Sequence, residues 1–105
     1  MQRVALLPVL LAAGFVHAAD APGTARRAQL VDMVRQDCGA CHGLTLKGGL
    51  GPSLLPAALA ERDAGQLGYV ILNGRHGTAM PPWRSLLTEG EALWIAELLK
   101  KGLPK

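Results

Sequence analysis

Cys38-Gly39-Ala40-Cys41-His42 is the stretch that decides how this chain folds and what it holds. Two thiols three positions apart at the end of a helix can add to two vinyl groups on one edge of a porphyrin. Gly39 and Ala40 leave room for the ring, and the next residue projects an imidazole beneath the iron. The stretch therefore predicts one covalently attached haem, haem c, on Cys38 and Cys41, with His42 as an axial ligand. Three plainer readings compete: a thioredoxin-like dithiol, a zinc site and a structural disulfide. The dithiol lacks a βαβ context, and zinc needs four protein ligands where only His42 and His76 are available besides the thiols. None of the three needs a histidine directly after the second cysteine, so attachment of haem is the stronger reading.

Working outward, the residues before the motif predict a helix from Thr24 to Cys38. Thr24 suits the N-cap, and Leu30, Val31, Val34 and Cys38 fall on one face, which delivers Cys38 to the core. Beyond the motif, Gly48, Gly49, Gly51, Pro52 and Pro56 punctuate residues 43–56, which must be loop. Asp63-Ala64-Gly65-Gln66 has the spacing of a capping box and introduces Leu67, Val70 and Ile71 before Gly74 can close a helix, although Gly65 and Gly68 weaken it. A second loop, Arg75 to Leu86, is stiffened by Pro81-Pro82. The last helix opens on the capping box Thr88-x-x-Glu91 and carries Trp94, Ile95, Leu98 and Leu99 as its apolar stripe, with Lys100 and Lys101 complementing the end of its dipole. No segment alternates as a strand does, so the chain reads as all-α.

The sixth iron position has a candidate in the second loop. Met80 lies in Gly77-Thr78-Ala79-Met80-Pro81-Pro82-Trp83, where two prolines can fix a thioether at low entropic cost. Met33 sits in the first helix and reads as packing. His76, four residues before Met80, is the alternative ligand, and otherwise a solvent-facing loop histidine. A methionine opposite a histidine gives the raised-potential pairing used for electron transfer.

Residues Met1 to Ala18 read as a secretory leader, with Arg3 as the positive region, Val4 to Val16 as the apolar stretch and Val16-His17-Ala18 as the cleavage pattern. The apolar stretch of about 13 residues falls short of the roughly 20 that a spanning helix needs. Cleavage after Ala18 leaves 19–105 as one exported, periplasmic domain without stable membrane insertion; the rival reading is a leader that stays uncleaved as a membrane anchor. The chain of 105 residues has room for one core, and a domain this small gains from a cofactor that adds to it. A formal charge of +3 pulls weakly on acidic partners. Arg26-Arg27 and Lys100-Lys101 are isolated pairs, which excludes nucleic-acid binding. Gly48-Gly49-Leu50-Gly51 is no phosphate cradle, because no Gly-Lys-Ser/Thr follows it.

Taken together, a helix running into Cys-x-x-Cys-His, Gly51-Pro52-Ser53-Leu54, the Met80-Pro81 loop and a C-terminal helix resemble the class I cytochromes c over roughly Leu30 to Leu99. The resemblance implies three or four short helices around one haem, with the Pro52 carbonyl accepting the ring N–H of His42. It also implies that the first and last helices cross, although Leu98 stands where an aromatic is often found. More narrowly, the short chain and Met80-Pro81-Pro82-Trp83 are similar to the small accessory cytochromes found with haem-cd nitrite reductases in denitrifying bacteria. The implied function is a monomeric one-electron carrier between periplasmic redox proteins, among them nitrite reductase; the alternative is a factor in maturation of that reductase or its special haem. A haem enzyme or gas sensor would need an open iron site, which Met80 argues against. Tyr69, Trp83 and Arg75 are candidates for the haem edge and its propionates.

Overall fold

The helix that leads to the attachment motif runs further than its spacing predicts. The computed structural model describes residues 2–9 and 21–105; the cleavage point after Ala18 lies outside the described residues. Helix α1 spans Thr24–Met33, a π-helical segment Val34–Cys38 follows, and α2 spans Gly39–His42. In the π segment the Gly39 N–H reaches the Val34 carbonyl five residues back, so the rod continues through Cys38 and stops only at Gly43. The N-cap also differs: Gly23 is the extended residue before the helix, and Thr24 is already inside it without a side-chain cap. The first helical bond runs from the Arg27 N–H to the Gly23 carbonyl. Single π turns of this kind gather at functional sites, and this one abuts the attachment motif.

Pro56, expected in the loop, instead opens a short helix α3, Pro56–Leu59; its missing N–H costs nothing at the first helical position. Helix α4 spans Ala64–Asn73, capped by the Asp63 carboxylate, which accepts from the Gln66 N–H at 3.0 Å. Gly68 faces α5, Glu89–Lys101, where a Cβ on it would stand 3.4 Å from the backbone of Leu93, at ordinary contact distance.

Both bonds of the Thr88–Glu91 capping box form. On α5, Ile95 and Leu99 are buried as expected, whereas Trp94 and Leu98 are half-buried, and Ala92 and Ala96 fill the closest positions. Crossing of the first and last helices is fixed by an Arg26–Glu91 ion pair and by the Arg27 guanidinium 5.8 Å above the Trp94 ring. Beneath them Leu30, Val34 and Ile95 are fully buried and form one core with Ile71, Leu72 and Leu99. There is no strand among the described residues, as expected of an all-α chain, and no helix among them is long and apolar enough to cross a membrane.

Candidate haem-binding site

The C-terminal end of α2 leaves carbonyls without helical partners. The glycine-rich loop answers this: the Gly48 N–H donates to the His42 carbonyl and the Gly51 N–H to the Cys41 carbonyl, both at 2.8 Å. Wrapping the loop this closely brings Gly51 over the His42 ring, where a Cβ would sit 2.7 Å from Cε1 and 2.8 Å from Nδ1. Only a residue without a side chain fits there. The next residue supplies the Pro52 carbonyl, 2.7 Å from His42 Nδ1. A carbonyl can only accept, so Nδ1 carries the proton and Nε2 presents its lone pair, the tautomer a metal needs.

Cys38 is half-buried and packs against the core, while Cys41 is exposed, and neither is in a disulfide. Burial pushes the free Cys38 thiol up to about 11, with the Asp37 and Cys41 charges adding to the effect. A reactive dithiol needs the opposite shift, so the thioredoxin-like reading loses its chemistry. Among the described residues no group of three or more His, Cys, Asp or Glu could hold a metal ion. Two thiols at this spacing and an imidazole that presents its Nε2 lone pair suit a covalently held haem.

Met80 is half-buried against the same core as Cys38. Its loop is tied down along its length. The Arg75 N–H donates to the Met80 carbonyl at 3.2 Å, and the Met80 N–H to Thr78 Oγ1 at 3.3 Å. Past the prolines, the Trp83 and Arg84 N–H groups donate to the Ile71 and Leu72 carbonyls, which are unpaired at the end of α4, and Arg84 also reaches Asn73 Oδ1 at 2.9 Å. Gly74 makes the turn between helix and loop with φ +67, where a Cβ would lie 2.6 Å from the Met80 carbonyl. Met33 is half-buried beside the core, while His76, Tyr69 and Arg75 are exposed and Trp83 is half-buried. The capping of α2 by Gly48 and Gly51 was not read from the sequence. The signal was there in a run of glycines directly after a helix that ends in its own functional histidine.

A cavity of about 580 Å³ lies between Arg35, residues 44–46 and the C-terminal residues; it is lined by neither His42 nor Met80 and is not the haem site.

Comparison with known proteins gives the same picture. The family model described as cytochrome C oxidase, cbb3-type, subunit III matches residues 25–99. The chain is 56% identical over 101 residues to cytochrome c55X of Paracoccus denitrificans, covering 96% of each chain. It is 34% identical to the dihydro-heme d1 dehydrogenase of Pseudomonas aeruginosa, where 100% of this chain matches 20% of that protein. The solved c-type cytochrome NirC superposes with a TM-score of 0.76 and 46% identity, over 78% of this chain and 96% of that one. The chain therefore belongs to the c-type cytochromes, with the all-α cytochrome c fold and haem c as its covalent cofactor.

Proposed function

We propose that residues 1–18 are a leader removed on export, and that 19–105 form a monomeric periplasmic one-electron carrier with no catalytic step of its own. Cys38 and Cys41 hold the haem by thioethers, and His42 Nε2 and the Met80 thioether are its axial ligands. The haem supplies reversible one-electron exchange at its iron. The chain's own residues set the conditions for it. Pro52 fixes the tautomer and orientation of His42, and Gly51 lets the loop approach the ring. Thr78, Arg75 and the end of α4 hold Met80 in place, so that neither ligand must reorganise when an electron arrives. The observation that carries this reading is the fastening of the Met80 loop to α4, because a closed site favours carrying electrons over binding small molecules. A carbon monoxide titration of the reduced protein tests it: a carrier with Met80 in place resists the gas, and ready binding would mean an open site.

Its partners in this reading are the redox proteins of the nitrite reductase system. A second role, in maturation of that reductase or its special haem, draws support from the likeness to a dihydro-heme d1 dehydrogenase. The whole of this chain corresponds to one fifth of that enzyme, so a stretch like this chain is built into a protein named for dehydrogenating dihydro-haem d1. A free unit could accept electrons from such a reaction. Deleting the gene separates the roles: a carrier's loss leaves mature reductase that is slowly supplied, and a maturation factor's loss leaves reductase lacking its special haem.

A further inference from the structure

Two leucines stand out on the segment that follows the attachment motif. Leu50 is 93% and Leu44 78% exposed, more than any other large hydrophobic side chain among residues 21–105. The backbone beneath them is pinned. The Leu46 N–H donates to the Gly43 carbonyl at 2.8 Å, and the Gly49 N–H to the Gly51 carbonyl and the Leu54 N–H to the Leu46 carbonyl, both at 2.9 Å. Apolar side chains carried on a fixed backbone lose little further freedom when a partner covers them. Both also border the site. A Cβ on Gly39, between the two cysteines, would lie 3.6 Å from Leu44 Cδ2, and Leu50 directly precedes Gly51, which overlies the His42 ring. Leu44 continues into the cavity of about 580 Å³, whose lining includes Leu46, Leu54, Leu55 and Arg35 and, among the described residues, no acidic side chain. From Gly39 to Ala60 there is no Asp or Glu, and Lys47 is the one Lys or Arg.

Exposed apolar patches of this kind mark interaction surfaces. We propose that Leu44, Leu50 and the adjoining cavity are where the redox partner docks, a protein that meets them with an apolar face carrying carboxylates opposite Lys47 and Arg35. This rests on the carrier reading above, with haem-cd nitrite reductase as the partner. The charge argument selects the partner's sign: a surface with cations and no acids of its own favours an acidic one. Because the cations are few, apolar contact holds the complex and charge sets mainly the rate of encounter. A partner seated on Leu50 reaches the Gly51 peptide, which lies against the His42 ring. The route to the iron then runs through an iron ligand without intervening solvent. In each transfer one electron leaves the ferrous iron of this chain, which becomes ferric, and reduces a ferric haem of the reductase; no proton or bond is exchanged.

The test is stopped-flow mixing of reduced holoprotein with oxidised, purified haem-cd nitrite reductase. Leu50→Asp sets a charge against the partner's carboxylates and should lower the second-order rate constant roughly tenfold or more. Leu44→Ser should lower it several-fold. Lys47→Gln should do so at low ionic strength, with the difference fading as salt is added. Leu86→Ser, at a leucine outside the patch that is 56% exposed, should leave the rate constant unchanged. Reduction potential and the sulfur-to-iron absorption should be the same in all four variants, which separates docking from a change at the iron. Rate constants for Leu50→Asp and Leu44→Ser that match the unmodified protein would overturn the docking surface and leave the partner reading standing. Unmodified protein that passes no electrons to the reductase would refute that reading, and the proposal with it. A dimer of the unmodified protein in sedimentation that Leu50→Asp returns to monomer would assign the patch to a second copy. Binding to vesicles of phosphatidylethanolamine with phosphatidylglycerol that the same variant loses would assign it to a membrane. Either result would overturn the assignment to a redox partner.

Discussion

Replacing Gly51 by alanine tests the site at its tightest point. The new Cβ would lie 2.7 Å from His42 Cε1, 2.8 Å from Nδ1 and 3.2 Å from Nε2, whereas ordinary contact begins at 3.4 Å. The ring or the loop must therefore retreat by about 0.7 Å, the difference between 3.4 and 2.7 Å. The ring cannot retreat freely, because Nδ1 is bonded to the Pro52 carbonyl at 2.7 Å. Overpacking of this kind costs about 1–3 kcal/mol, and losing the hydrogen bond adds about 1 kcal/mol. Together, about 3 kcal/mol corresponds to a fall in melting temperature of about 12–24 °C for a domain of this size. The assay is thermal unfolding of the ferric holoprotein followed in the haem absorption, with haem stoichiometry checked separately, since the thioethers should be untouched. The sign is diagnostic, because a tolerated glycine-to-alanine change would stabilise by ~0.4–1 kcal/mol through the unfolded chain. An unchanged or raised melting temperature would refute the close approach of Gly51 to the ring.

The Arg26 guanidinium beside Glu91, helped by the Thr88 N–H, holds the Glu91 carboxyl below its ordinary value despite burial. The stability this supplies is complete above the unfolded carboxyl's value of about 4.3 and is lost as pH falls through the lower folded value. Glu91→Gln keeps an acceptor for Thr88 but loses the charge. It should lower stability near neutral pH by about 1 kcal/mol or less, since Arg26 is over a third exposed and screened, and unfolding curves across the acid range should show a shallower loss than in the unmodified protein. Met80→Ala should abolish the sulfur-to-iron absorption, admit carbon monoxide to the reduced protein and lower the potential; if His76 fills the vacancy, bis-histidine spectra appear and His76→Ala removes them. Acid acetone should leave the haem on the chain, and extraction of free haem would contradict thioether attachment. The chain expressed without haem should be largely unfolded by circular dichroism, since binding supplies stability that a core this small lacks; a cooperative helical melt would contradict that.

Much of this was legible because caps and attachment motifs are local. Asp63 and Thr88 mark their helices within a residue, and Cys38, Cys41 and His42 stand at spacings that the haem itself dictates. The carbonyl of Pro52 came through a family pattern, which the 2.7 Å contact then matched. Illegible were features set by tertiary approach. Gly51 looks like loop punctuation until the ring of His42 is beneath it. The π turn escaped because periodicity assumes one bond pattern throughout, and residues 34–38 use another.

The bonds from Trp83 and Arg84 to the last carbonyls of α4 make the Met80 loop and that helix a single cooperative unit. The loop cannot swing outward alone, because doing so strands the Ile71 and Leu72 carbonyls, residues buried in the core. Amide hydrogen exchange at Trp83 and Arg84 should then proceed at the rate of the helix end and not of a surface loop. With Met80 as the proposed iron ligand, departure of its thioether is a sub-global opening whose frequency is governed by how firmly α4 is seated on α5.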